Sequence, residues 1–226
     1  RARISNIDYL ARYDYIGLRY LFTQGCIFDQ KLLYDKFPNS YIPFDFDTFF
    51  NSETEFEMVA TNCRTGLAEY LSERHDRQRA LDVVRASSSL PYVSKIVFVD
   101  GKPMLDGGIA DSIPVEHAMQ KGSSHNVVVL TRNKGYRNDG HDIKIPRFIY
   151  RDYPRLRVAL SHRIEVYNRQ LDMIDRLEDE GRITCIRPLK PMEVGRIERD
   201  TKKLEALYEE GFALGEAFCK KYLNVE

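Results

Sequence analysis

Between Lys95 and Leu130 the hydrophobic pattern switches period repeatedly, with little spacer between the switches. Lys95 to Val99 is a short β-branched run, and Asp100-Gly101 is a dipeptide that turns a chain tightly back on itself, here into Met104-Leu105. Asp106-Gly107-Gly108 follows at once. Pro114 suits the first turn of a helix, and Gly122 stands where such a helix needs a residue that can stop it. Val127-Val128-Val129-Leu130 is then continuously apolar, the pattern of a strand buried on both faces of a parallel sheet. Strand, turn, strand, loop, helix, strand is the grammar of an α/β layer, and α/β is the expected fold class.

The flanks fit around that layer. Asp29 is placed to cap a short helix through Lys36, which Pro38-Asn39 should end, and Asp45 to Phe50 should start another. Glu53 to Thr61 alternates, with Phe56, Met58 and Ala60 on one face; Asn62 to Gly66 supplies a turn, and Leu67 to Leu71 returns as a second strand. Residues 76–86 read as a helix whose apolar side is Ala80, Leu81 and Val84, closed by Ser87-Ser88-Ser89-Leu90-Pro91. Further on, Leu156, Leu160, Ile164, Tyr167, Leu171, Ile174 and Leu177 advance by three or four as one apolar stripe, which Gly181 stops. Ile183 to Ile186 is a short strand. Asp200 or Thr201 should cap a last helix bearing Leu204, Leu207, Gly211, Leu214 and Phe218 on one side. No repeat or flexible linker interrupts this series, so residues 1–226 are read as a single domain with a helical C-terminal part over 154–226.

Composition excludes several classes. Lys+Arg and Asp+Glu are 34 each, a balance that argues against a nucleic-acid partner held by overall charge. Hydrophobic residues at 43% and charged residues at 30% belong to a folded domain, and no apolar run approaches the ~18 residues of a membrane-crossing helix. Cys26, Cys63, Cys185 and Cys219 are scattered without C-x-x-C or a histidine at ligand spacing, which speaks for buried thiols in a reducing, cytoplasmic setting and against structural zinc.

Asp106-Gly107-Gly108 is the sharpest chemical feature. Two glycines behind one carboxylate hold it on a narrow turn at a strand end, where ligands bind in open α/β sheets. A carboxylate held there can take a proton from a hydroxyl nucleophile; the same three residues are also ordinary turn chemistry.

Three blocks together are more specific than any one. Ala60-Thr61-Asn62-Cys63-Arg64-Thr65-Gly66, then Arg85-Ala86-Ser87-Ser88-Ser89-Leu90-Pro91, then Leu105-Asp106-Gly107-Gly108-Ile109-Ala110-Asp111-Ser112-Ile113-Pro114-Val115 resemble, in order and spacing, the C-terminal half of the bacterial patatin-like phospholipase family over residues 56–131. The resemblance implies a three-layer α/β/α sandwich that hydrolyses carboxylic esters of lipids. In the family a serine in a G-x-S-x-G elbow attacks the acyl carbonyl, an aspartate of an Asp-Gly-Gly motif is its base, and a glycine-rich loop donates N–H groups to the oxyanion. Matched by position, Asp106 is that base, Gly107 and Gly108 shape its turn, and Asp111 and Pro114 fall on frequently occupied positions. Arg85, Ser87 and Pro91 belong to the supporting block, and Ser112 stands where asparagine is commoner. Neither G-x-S-x-G nor a glycine-rich loop occurs in the 226 residues. The expectation is a serine supplied by polypeptide preceding Arg1, giving a Ser–Asp dyad that cleaves phospholipid or acylglycerol esters. No metal or organic cofactor is implied. A catalytically silent lipid-binding or scaffold domain of the same fold is the alternative.

Other nucleophiles within the chain fit less well. Ser87, Ser88 and Ser89 lack flanking glycines and suit a helix end better than an elbow. Cys63 reads as a buried apolar group. His117 reads as a surface or packed residue on the helix after Pro114, and His75, His125, His141 and His162 show no metal spacing. Residues 144–169 carry seven cations (Lys144, Arg147, Arg151, Arg155, Arg157, Arg163, Arg169) against Asp152 and Glu165. With Phe148, Ile149, Tyr150 and Tyr153 among them, this segment is either a solvated helix face or a peripheral contact, through Arg147, Arg151 and Arg155, with the anionic inner membrane surface.

Overall fold

In a computed structural model, residues 13–140, 145–146, 148–195, 198 and 200–223 are described, together with residues 3 and 7. The chain divides into two compact units, one of Tyr15–Ile113 and Asp139–Tyr167, the other of Arg1–Asp14, Pro114–Asn138 and Asn168–Glu226.

The first unit is built on a four-stranded sheet. Strands β1 (Met58–Asn62), β2 (Ala68–Leu71), β3 (Val97–Val99) and β4 (Lys102–Asp106) lie in the order β2-β1-β4-β3, all neighbours antiparallel. Asp100 and Gly101 both have positive φ, 52° and 72°, the conformation that a two-residue hairpin between β3 and β4 demands. At the other hairpin Gly66 has φ 70°, and a Cβ there would sit 2.6 Å from the Arg155 carbonyl oxygen. Only glycine meets both conditions.

Adjacent residues on β4 face opposite ways, and each face has its own helix. Met104, with Met58, Ala60, Val97 and Val99, packs on Val83 and Ala86 of α3 (Arg77–Ser87). Leu105, with Cys63 and Ile109, packs on Leu156 and Leu160 of α5 (Pro154–Ser161). Helix, sheet and helix thus form three layers within this unit. Full burial of Leu105 and Leu156 is worth about 1.5–3 kcal/mol each.

Shorter helices precede the sheet. Helix α1 covers Leu18–Gln24, a π-type helix covers Leu32–Tyr41, and α2 covers Phe46–Asn51. Asp29 caps as expected, accepting from Leu32 N–H (3.1 Å), and Asp45, where a second helix is expected to start, caps it by accepting from Thr48 N–H (2.9 Å). Pro38 does not end its helix: the turns widen around it, and Ile42 N–H reaches the Phe37 carbonyl five residues back.

The second unit holds α4 (Val115–Gln120), β5 (Asn126–Val129), most of α6 (Arg163–Asp179), β6 (Ile183–Ile186) and α7 (Thr201–Tyr222). Strands β5 and β6 pair in parallel. Asp175 and Glu178 of α6 hold the nearly buried Arg187 after β6, at 2.9 and 2.5 Å, while Asp172 and Asp175 hold Arg137. Gly181 ends α6 with φ 68°, and the Asp200 carboxylate caps α7.

Four further expectations are corrected. The buried side of α3 contains Val83, with Val84 40% exposed, because the 3.6-residue period carries position 83 under the sheet. Phe56 lies before β1 and is half exposed, its ring stacked edge-on to Phe49. The Val127–Leu130 run is not buried on both faces: Val129 is 72% exposed. The apolar stripe from Leu156 to Leu177 belongs to two helices, broken at His162.

Candidate active site

Asp106 is the last residue of β4, paired with Ala60. Its N–H donates to the Ser89 carbonyl (2.9 Å), and its own carbonyl accepts from the buried Thr61 hydroxyl (2.8 Å), whose oxygen also accepts from Ala110 N–H (3.2 Å). The strand end and the outgoing loop are therefore tied to β1 and to the end of α3.

The two glycines act through space rather than through positive φ. A Cβ on Gly107 would lie 2.3 Å from the Val59 carbonyl oxygen, and one on Gly108 would lie 2.9 Å from Asp106 Oδ1. The chain can thus fold tightly into a 3₁₀ turn, and Gly108 N–H donates to Asp106 Oδ1 at 2.7 Å. Asp106 Oδ2 receives no donor from the described residues, and it is not among the fully buried atoms lacking a partner. One carboxylate oxygen is pinned; the other is open to an incoming proton.

Burial pushes the Asp106 carboxyl above the ordinary aspartate range, opposed by the Gly108 N–H and by the positive charge of Arg163. A carboxylate with raised proton affinity and one free oxygen is suited to general-base work.

The supporting block lies against this corner. Ser89 is buried and its hydroxyl donates to the Arg85 carbonyl (2.7 Å); the Ser88 hydroxyl bonds the Val84 carbonyl (2.7 Å) and shares a 2.6 Å hydrogen bond with Tyr34. Both serines close a helix, and Ser87 is the last residue of α3. Arg85 donates to Asp82 at 2.5 Å, while its buried Nε meets no partner. Pro91 is buried in the turn that follows. Asp111 accepts from the Tyr70 hydroxyl of β2 (2.6 Å), which anchors the far end of the loop. Pro114 precedes α4 in the other unit.

Competing nucleophiles are not gathered here. Burial raises the Cys63 thiol to about 12, leaving almost no thiolate at neutral pH. His162 and His125 engage Glu165 and Thr184, His117 lies on α4, His75 N–H bonds Glu73, and His141 lies outside the described residues. All four cysteines are free, and the described residues contain no metal-ligating cluster.

Three residues of the corner make contacts that the sequence does not signal: Thr61 and Ser112, which stand within the motif blocks, and Arg163, which stands outside them. Ser112 donates to the Gly108 carbonyl at 2.8 Å, and Arg163 Nε donates to the same oxygen at 2.9 Å across 55 positions of sequence. In the sequence Arg163 is only one of several cations in a basic stretch, because a long-range contact to a carbonyl leaves no trace in composition or spacing.

Comparison with known proteins agrees with the motifs. A family model described as patatin-like phospholipase matches residues 2–119, and one described as a domain of unknown function (DUF6363) matches residues 153–225. The uncharacterized protein YjjU of Escherichia coli (strain K12) is 36% identical over 96 residues, 41% of this chain and 26% of that protein. The chain thus spans about a quarter of the length of that relative. With a family model covering just over half of its 226 residues, including the Asp106 turn, the chain belongs to the patatin-like phospholipase family.

Proposed function

We propose that this chain is the base-bearing part of a lipid acyl hydrolase that cleaves carboxylic esters of phospholipids or acylglycerols. The reading rests on one observation: a carboxylate with one oxygen pinned by a backbone N–H, the other open, and a proton affinity raised by burial. The nucleophile is a serine hydroxyl from polypeptide outside these 226 residues. Its oxygen attacks the acyl carbon as its proton passes to Asp106 Oδ2, and that proton then protonates the departing alcohol. Water, deprotonated by the same carboxylate, releases the acyl group as a free acid and restores the serine. Metal and cofactor have no part in this scheme.

Lipid contact is proposed for the start of α5 and the turn before it. Arg151 and Arg155 are exposed, and Phe148 and Val158 are 78% and 59% exposed beside them. Arg157 is not available, since it donates to the carbonyls of Ile145, Pro146 and Ile149. Arg147 lies outside the described residues. No described helix is long and apolar enough to cross a membrane.

The test is a fluorophosphonate probe on the full-length protein. Labelling of a serine outside this segment, lost when that serine becomes alanine, is expected. A probe that labels nothing, with no ester hydrolysis, would leave the catalytically silent alternative in its place.

A further inference from the structure

We propose that Arg163, in the region matched by a family model of unknown function, is a positioning residue for the Asp106 carboxylate. The proposal rests on the reading of Asp106 as a base. Arg163 is the first residue of α6, one position after the break at His162. A cation is disfavoured at a helix N-terminus, where the backbone N–H groups already present positive charge. The local rule is broken, and the side chain shows what is obtained in return.

The Arg163 Nε donates to the Gly108 carbonyl at 2.9 Å, and the Ser112 hydroxyl donates to the same oxygen at 2.8 Å. On its other side Gly108 N–H donates to Asp106 Oδ1 at 2.7 Å. Gly108 is thus held at both its peptide groups, and rotation of either would swing the pinned carboxylate oxygen. The guanidinium is close as well as bonded: a Cβ on Gly108 would lie 2.9 Å from Asp106 Oδ1 and 3.7 Å from Arg163 Nη2. Among the described residues Arg163 has no carboxylate ion-pair partner, whereas Arg79, Arg137 and Arg187 each hold two. Its charge therefore acts on the corner and draws the carboxyl back toward ionisation against burial. Tyr34 of the π-type helix also couples electrostatically to Asp106, and Tyr92 couples to Arg163. A half-buried base needs both services: a fixed direction for its free oxygen and enough positive potential to remain ionised at working pH.

Two substitutions in the full-length protein separate them. Arg163→Met removes bond and charge, while Arg163→Lys keeps the charge and loses the planar Nε–H. Asp106 is followed by carboxyl ¹³C NMR across pH, and hydrolysis of a soluble aryl ester by its pH profile. In Arg163→Met, Asp106 should titrate at higher pH, the acidic limb of kcat/KM should move up with it, and kcat should fall about tenfold or more with KM little changed. In Arg163→Lys the titration should return toward wild type while kcat stays low. Unmoved titration in a folded Arg163→Met protein, or wild-type kcat in Arg163→Lys, overturns the proposal. A shifted Asp106 titration with an acidic limb that does not follow leaves the coupling intact and rejects Asp106 as the base instead.

Discussion

The Asp106 carboxylate is a destabilising group by its own physics. Burial raises its proton affinity in the folded chain, so the native state binds the proton more tightly than the unfolded chain, whose carboxyl has its ordinary value of 3.8. Below that value both states are protonated and no penalty exists; above it the unfolded chain ionises while the native carboxyl holds its proton, so stability falls until pH passes the higher folded pKa, where the penalty is complete. Asp106→Asn keeps the acceptor for Gly108 N–H and removes the charge. Urea denaturation should therefore show the variant more stable than wild type at pH 7, with the difference vanishing below pH 3.8. Its ester hydrolysis in the full-length protein should fall by about 10²–10⁴-fold. A variant that is less stable at pH 7, or that hydrolyses normally, contradicts the assignment. Asp106, Gly107 and Gly108 were legible as a unit because they are neighbours in sequence. The reason for the glycines was not, since it lies in the Val59 carbonyl and the aspartate's own oxygen rather than in a left-handed backbone.

The entry to α3 shows how an element is locked in place. Glu73 Oε1 accepts from the N–H groups of Arg74, His75 and Asp76, and the Asp76 side chain accepts from Arg79 N–H, so successive donors at the helix start are satisfied. Arg79 then bridges Glu73 Oε2 (2.8 Å) and Asp100 Oδ2 (2.6 Å), joining the helix to the β3–β4 turn. Burial pushes the Glu73 carboxyl up, but these donors outweigh it and hold the group at about 2, against 4.5 ordinarily. Its contribution is thus complete above pH 4.5 and is lost as pH falls toward 2. Glu73→Gln should cost roughly 1–3 kcal/mol at pH 7, and the cost should shrink on acidification in denaturation curves taken from pH 7 to 2. An equal loss at every pH would mean that shape, not charge, carries the effect. Periodicity placed α3 to within a residue, yet it chose Val84 where packing chose Val83, because an eleven-residue helix has several apolar positions and only the sheet selects among them.

At the scale of the molecule, Arg151 in the turn before α5 and Arg155 in the first turn of α5 carry the lipid contact proposed above. Each cation near an anionic surface is worth about 1 kcal/mol. Reversal of both (Arg151→Glu, Arg155→Glu) should weaken sedimentation of the full-length protein with anionic vesicles by about 30-fold or more at low salt, and leave hydrolysis of a soluble ester unchanged. Undiminished binding removes this surface from the proposal. By itself the sequence determined the features that depend on near neighbours: the Asp100-Gly101 hairpin, the cap at Asp29, the helix starts at Asp45 and at Asp200 or Thr201, the stop at Gly181 and the Asp-Gly-Gly turn. Local backbone preference and hydrophobic period suffice for these, and both are written in consecutive residues. Tertiary structure alone decided that β4 faces α3 with Met104 and α5 with Leu105, that the long apolar stripe breaks at His162, and that Arg163 closes on Gly108. Those outcomes depend on which distant groups compete for the same space and the same carbonyl oxygen, a competition settled only when the chain is packed.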